Sequence, residues 1–242
     1  MLKHLRNFVF GFFRIPLLRY LYTQLRLRLL LFFKGMKTLD AHGSIQSTSE
    51  HNFKSLKIFT DRNEKLFQSC LLVEDLSQYK ALIIGCRTEE EIFLFKGYGL
   101  HDVRAIDISS YSPLIELGDM HQLPYEDSSF DFVFCAYTIS YSANPRQAAS
   151  EMIRVLRNGG LVAMVMEYCP WSERAEIEDK LLGYRLTPGE RLECFDDMIN
   201  LFDGHIDKVF MRYDAEMKRH HGIQGMIGLP SPVAAVFSIV KS

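Results

Sequence analysis

The sequence predicts an α/β fold: a mostly parallel seven-stranded sheet with helices on both faces, preceded by an amphipathic helical arm. Three observations carry this. Strand-length apolar runs alternate with helix-period patterns from residue 79 to residue 241, as in strand–helix–strand units. The 242 residues suffice for one such domain plus an appendage. The charge is also split: residues 1–39 hold eight Lys/Arg and no Asp or Glu, leaving about −10 on the rest of a chain whose net charge is −2.

The arm, residues 1–39, is too broken by charge to span a bilayer. Its longest uncharged stretch, Asn7–Phe13, has seven residues, against about 18 for a span. A secretory signal fits poorly, because charges interrupt every apolar run and no small-residue cleavage site follows. Pro16 divides the arm in two. Beyond it, Leu18, Leu21, Tyr22, Leu25, Leu29, Phe32 and Phe33 share one helical face, and Arg19, Thr23 and Arg26 line another. Three uses fit such an arm: lying in an anionic membrane interface through residues 1–34, packing on its own domain or in a dimer contact, and mitochondrial targeting. The expected location is the cytoplasm or an organelle interior, peripheral to a membrane. Residues 40–55 are polar and read as a linker to a domain over 56–242.

Within that domain the strands read as 79–86, 102–108, 114–117, 130–137, 161–168, 208–213 and 234–241. The last two complete one edge, with an antiparallel member. Helices read as 89–98 and 147–156, the second ended by Gly159-Gly160. A capping box at Thr187–Glu190 opens another, to about Phe202. The acidic body argues against nucleic-acid binding. Five scattered cysteines, without a CxxC spacing, read as reduced and mostly buried thiols. No metal cluster is expected, since His220-His221 lacks partners at ligand spacing.

Ligands of open α/β sheets sit at the carboxyl ends of strands, near the point where strand order reverses. Gly85 follows the first strand. Asp107 ends the second, 22 residues on, where an acid takes the ribose hydroxyls of a nucleoside. Asp119-Met120-His121 ends the third, with an acid for an exocyclic amine and a thioether for a purine face.

The run of residues 115–160 closely resembles the signature of type 11 methyltransferase domains. Asp119, Leu123-Pro124-Tyr125, Ser129-Phe130-Asp131 and the block from Glu151 to Gly160 carry the likeness, with LIIGC and AIDIS upstream. It covers roughly residues 80–170. It implies a Rossmann-like class I methyltransferase fold and S-adenosylmethionine as cofactor. By position it implies Gly85, Cys86 and Arg87 at the methionine part, Asp107 on the ribose and Ile108 beside the adenine. Asp119 and Met120 would meet the adenine, and Ala136 and Tyr137 would face the methionine and the substrate. Tyr141, Glu167 and Trp171 are the acceptor-side candidates, and no residue is marked as a catalytic base. The family's Gly-x-Gly-x-Gly loop is Gly85-Cys86-Arg87-Thr88-Glu89 here, so Arg and Glu replace two glycines. Arg87 is placed to pair with the cofactor carboxylate, and Glu89 to oppose it. Two readings therefore stand. One is a methyltransferase acting on a small, lipid-linked or apolar acceptor at a membrane surface. The other is an inactive methyltransferase-like scaffold.

Overall fold

The computed structural model describes residues 2–39, 56, 62–167, 192, 194–214 and 232–241. The arm is helical: α1 (Leu2–Gly11), one 3₁₀ turn (Phe12–Arg14) and α2 (Pro16–Lys34). Pro16 sits at the first turn of α2, where its missing N–H costs nothing. A two-residue strand follows, β1 (Lys37–Thr38). The domain continues with α3 (Arg62–Leu71), β2 (Lys80–Ile84), α4 (Glu90–Gly97), β3 (Asp102–Asp107), β4 (Ser109–Ser110) and β5 (Glu116–Leu117). Then come β6 (Phe130–Ala136), α5 (Pro145–Val155), β7 (Leu156–Glu167), α6 (Phe195–Asn200), β8 (Ile206–Tyr213) and β9 (Pro232–Ile239).

Seven strands form one sheet in the order β5-β3-β2-β6-β7-β9-β8. The β2, β3, β5, β6 and β7 pairings are parallel, whereas β9 runs antiparallel to both neighbours. The seven strands and the antiparallel edge are therefore as the sequence predicts. Strand order reverses at β2 and β6, so the loops after those strands flank the expected ligand crevice. Alternation along β6 builds both cores. Phe132 and Phe134 join Phe67 and Phe95 on one face, and Val133 and Cys135 join Met152 and Val155 on the other. Cys70, Cys86 and Cys135 are buried free thiols, as expected, and Cys194 is half-buried.

One expectation is corrected. The helix before β7 ends at Val155, and Gly159-Gly160 lies inside the strand rather than capping the helix. Gly159 takes φ +75°, and a Cβ on Gly160 would meet the Arg157 carbonyl oxygen at 2.9 Å. The glycines thus serve an irregular strand opening, where the register against β6 shifts between Phe130 and Phe132. In the segment after Asp107, β4 pairs antiparallel with β1 of the arm. On α4, Ile92, Phe93, Leu94 and Phe95 are all buried, because the arm covers its outer side. Phe13 and Tyr22 pack on Phe93 at ring separations of 4.8 and 5.0 Å.

The arm docks by its polar side. Arg19 is 1% exposed, with Thr23 and Leu27 also buried. Arg19 Nη2 donates to Glu64 Oε2 at 2.6 Å and Nη1 to the Phe13 carbonyl at 2.7 Å. Arg14 Nε donates to the Gly97 carbonyl at 2.8 Å. The predicted apolar face points outward: Leu18, Leu21, Tyr22, Leu25, Leu29, Phe32 and Phe33 are all exposed. Among the described residues, no helix is long and apolar enough to cross a membrane. The linker, residues 40–55, and the Thr187–Glu190 capping box lie outside the described residues; the described helix α6 has its own capping box, of Cys194 and Asp197.

Candidate functional site

The sheet brings most of the sequence-predicted residues to one end. Gly85, Cys86 and Arg87 follow β2, Asp107 ends β3 with Ile108 next to it, Asp119 and Met120 follow β5, Ala136 ends β6, and Tyr137 and Tyr141 follow it. Glu167 ends β7 on the same side. Trp171 lies outside the described residues.

Gly85 holds φ +77° and donates its N–H to the Ile106 carbonyl at 2.9 Å. A Cβ there would come within 2.0 Å of Thr138 Oγ1. The close approach that glycine permits is thus made by the loop after β6, and Thr138 closes the two crevice loops on each other. Tyr137 has φ +56°, unusual for a side-chain-bearing residue, and donates its N–H to the Val165 carbonyl at 2.7 Å. Strained backbone of this kind concentrates at ligand sites. Cys86 turns its thiol inward, toward the Thr88 carbonyl at 2.8 Å and Glu91 at 3.6 Å. What Cys86 offers the crevice is backbone, and burial with nearby carboxylates pushes its thiol pKa well up.

Asp107 is 6% exposed. Its Oδ1 accepts the Ser109 N–H at 2.9 Å. Desolvation pushes its pKa up to about 7, against the lowering effects of Ser109 and of the Arg87 charge. A buried carboxyl at this strand end suits the hydroxyl pair of a ribose, and in that respect the residues fit the cofactor the family implies. The half-buried Ile108 gives its carbonyl to Leu39 N–H of the arm at 2.9 Å. Asp119 Oδ1 accepts both the backbone N–H and Nδ1–H of His121, at 2.9 and 2.6 Å. With Nδ1 donating to a carboxylate, His121 Nε2 accepts the Ser142 hydroxyl at 2.6 Å. This chain ties the loop after β5 to the loop after β6.

The family-like motif residues have mechanical roles. Glu151 accepts Leu123 N–H at 2.7 Å, and Arg154 donates to the Leu123 and Tyr125 carbonyls at 2.9 and 2.8 Å. Arg154 also binds Glu151 at 2.7 Å. Together they staple the 119–127 loop to α5. Asp131 accepts Lys80 N–H at 2.7 Å and fixes the starts of β6 and β2.

Glu89, in place of a loop glycine, stands at the N-terminal boundary of α4 and is fully buried. Arg26 of the arm grips it through Nε at 2.5 Å and Nη2 at 2.8 Å. The Ser112 hydroxyl donates to its Oε1, and the Tyr111 hydroxyl accepts its backbone N–H at 3.1 Å. Sequence reasoning missed Thr138, Ser142 and Arg26, whose roles depend on long-range placement. No group of three or more His, Cys, Asp or Glu fit to hold a metal occurs among the described residues.

The fold and its crevice are those of a class I methyltransferase domain. Residues 82–164, about a third of the chain, match the type 11 family model described as a methyltransferase domain, and this likeness implies S-adenosylmethionine as cofactor. The biotin biosynthesis bifunctional protein BioHC of Teredinibacter turnerae is 48% identical over 48 residues, 20% of this chain and 8% of that protein. The uncharacterized methyltransferase YcgJ of Bacillus subtilis is 36% identical over 53 residues, 22% of this chain and 21% of that protein. The matches thus span a small part of these relatives. Among solved structures, the complex of the Trm112 methyltransferase activator of Haloferax volcanii with its methyltransferase matches with TM-score 0.52 and 13% identity, over 82% of this chain and 97% of that one. An S-adenosylmethionine-dependent methyltransferase of Thermotoga maritima matches with TM-score 0.50 and 16% identity, over 81% and 97%. These likenesses establish the fold.

Proposed function

We propose that the domain binds S-adenosylmethionine and transfers its methyl group to a small acceptor, lipid-linked or otherwise apolar, at a membrane surface. The observation that carries the first part is Asp107: a buried carboxyl at the end of the second parallel strand. Asp107 would take the ribose hydroxyls. Gly85, the Cys86 backbone and Arg87 would border the methionine part, Ile108, Asp119 and Met120 the adenine, and Ala136 and Tyr137 the reacting end. Tyr141, Glu167 and Trp171 are the acceptor-side candidates. The cofactor brings an already activated sulfonium methyl, so these residues need only orient it and exclude water. Titrating the full chain with S-adenosylmethionine tests the reading. Micromolar binding that Asp107→Ala weakens at least tenfold is the expected result; no binding at millimolar ligand overturns it and favours the inactive scaffold. That second reading draws on Arg87 and Glu89 standing where the family has glycines.

The membrane part rests on the outward apolar face of α2 beside exposed Arg28 and Lys34. A helix with Leu and Phe toward solvent and cations at its rim suits an anionic lipid interface. Co-sedimentation with anionic vesicles is expected, and equal recovery in the supernatant with and without vesicles rejects it.

A further inference from the structure

Arg26 lies in the arm, 63 residues before Glu89, yet its guanidinium makes two bonds to the Glu89 carboxylate. Glu89 has no exposed side-chain surface, whereas Arg26 keeps 29%. The same carboxylate receives the Ser112 hydroxyl, and Tyr111 takes the Glu89 N–H. Both residues belong to the segment that follows Asp107. That segment is held a second time by the arm, through β1 on β4 and Leu39 N–H on the Ile108 carbonyl. Glu89 is therefore the node where the arm, the loop after β2 and the loop after β3 meet.

The Glu at the family's glycine position and the basic arm answer each other. A carboxylate stripped of water is stable only with a hydrogen-bonded counter-charge. Arg26 supplies it, and turns the charge of Glu89 into the protein instead of toward the crevice. We infer that Arg26 is a positioning residue of the cofactor site: acting through Glu89, it holds the glycine-poor loop and the Asp107 loop in binding geometry. The inference rests on the proposed binding of S-adenosylmethionine.

The test uses the full chain with Arg26→Met, Arg26→Lys, Glu89→Gln and the Arg26→Met/Glu89→Gln pair. Two measurements are made: calorimetric affinity for S-adenosylmethionine, and amide hydrogen exchange without ligand. Arg26→Met is expected to weaken binding about tenfold or more and to speed exchange in residues 85–93 and 108–115. Arg26→Lys, which keeps the charge but not the two-bond grip, should fall between. The double variant should bind better than Arg26→Met, because the amide needs no counter-charge. If Arg26→Met and Arg26→Lys both bind as tightly as the parent, the inference is wrong even though the cofactor reading holds. If the parent binds no cofactor while Arg26→Met still speeds exchange in both loops, the cofactor reading has failed and the node is only structural. Should Arg26→Met not fold, the Arg26→Lys and double-variant affinities decide alone.

Discussion

Replacing Gly85 by alanine should be among the costliest one-carbon changes in the domain. Two separate terms arise. At φ +77° an L side chain sits in the left-handed region, at roughly 1–2 kcal/mol. The new Cβ would also meet Thr138 Oγ1 at 2.0 Å, Cγ2 at 2.4 Å and Cβ at 2.6 Å. Rotating the Thr138 side chain cannot clear its own Cβ, and its hydroxyl is tied to the Ala136 carbonyl at 3.1 Å. Backbone must shift, which adds about 1–3 kcal/mol of overpacking. The expected loss is about 2–5 kcal/mol, read from the urea midpoint at unchanged m-value. Thr138→Gly removes the whole clash but not the dihedral term. A cycle of Gly85→Ala, Thr138→Gly and the double variant should therefore show about 1–3 kcal/mol of favourable coupling. A single-variant cost below about 0.5 kcal/mol, or absent coupling, would refute the view that Gly85 exists to let Thr138 close the crevice.

Other expectations follow from charge. Ionised Asp107 is the better acceptor for a ribose, so cofactor affinity should rise as pH increases through about 7; calorimetry at pH 6 and 8 checks this, and Asp107→Asn should flatten the trend. Without ligand, Asp107 and Glu90 both hold pKa values raised to about 7 by desolvation. The folded state thus binds protons more tightly than the unfolded one, and stability should fall as pH rises from about 4 to 7; urea melts across that range test it, with Asp107→Asn showing a shallower fall. Arg19→Met should cost about 3–5 kcal/mol by leaving the buried Glu64 without its cation, measured by the same melts.

The sheet was legible because buried parallel strands read as apolar runs: KALII and FDFVFCA need no partner to be recognised. Asp107 and Asp119 were legible as strand-end acids at ordered spacing. The hidden part was pairing at a distance. Helical periodicity gives α2 a polar and an apolar face, but not which one turns inward. That depends on Glu64 and Glu89, 45 and 63 residues from their arginines. The Thr138 contact with Gly85 depends likewise on two loops that only the sheet order brings together. The closure of the helix before β7 was misplaced because a glycine pair serves a strand irregularity as well as a helix cap.

The inverted docking of the arm changes what its charge can do at a membrane. Of the eight basic residues, Arg19 is buried on Glu64, and Arg26 is committed to Glu89. Arg14 gives its Nε to the Gly97 carbonyl. Exposed Arg6, Arg28, Lys34 and Lys37 would remain for lipid headgroups on the proposed membrane reading. A basic residue near an anionic surface contributes about 1 kcal/mol, so Arg28→Gln with Lys34→Gln should lower vesicle affinity roughly 10- to 30-fold. Phe32→Ser with Phe33→Ser should also weaken it, through lost apolar burial that added salt does not mimic. Arg26→Lys keeps the charge on the docked face and should leave vesicle affinity within about twofold, even where it loosens the cofactor loop. Vesicle binding that depends on Arg26 as strongly as on Arg28 and Lys34 would mean that the arm leaves the domain to meet the membrane. The outward apolar face of α2 would then not be the surface that binds.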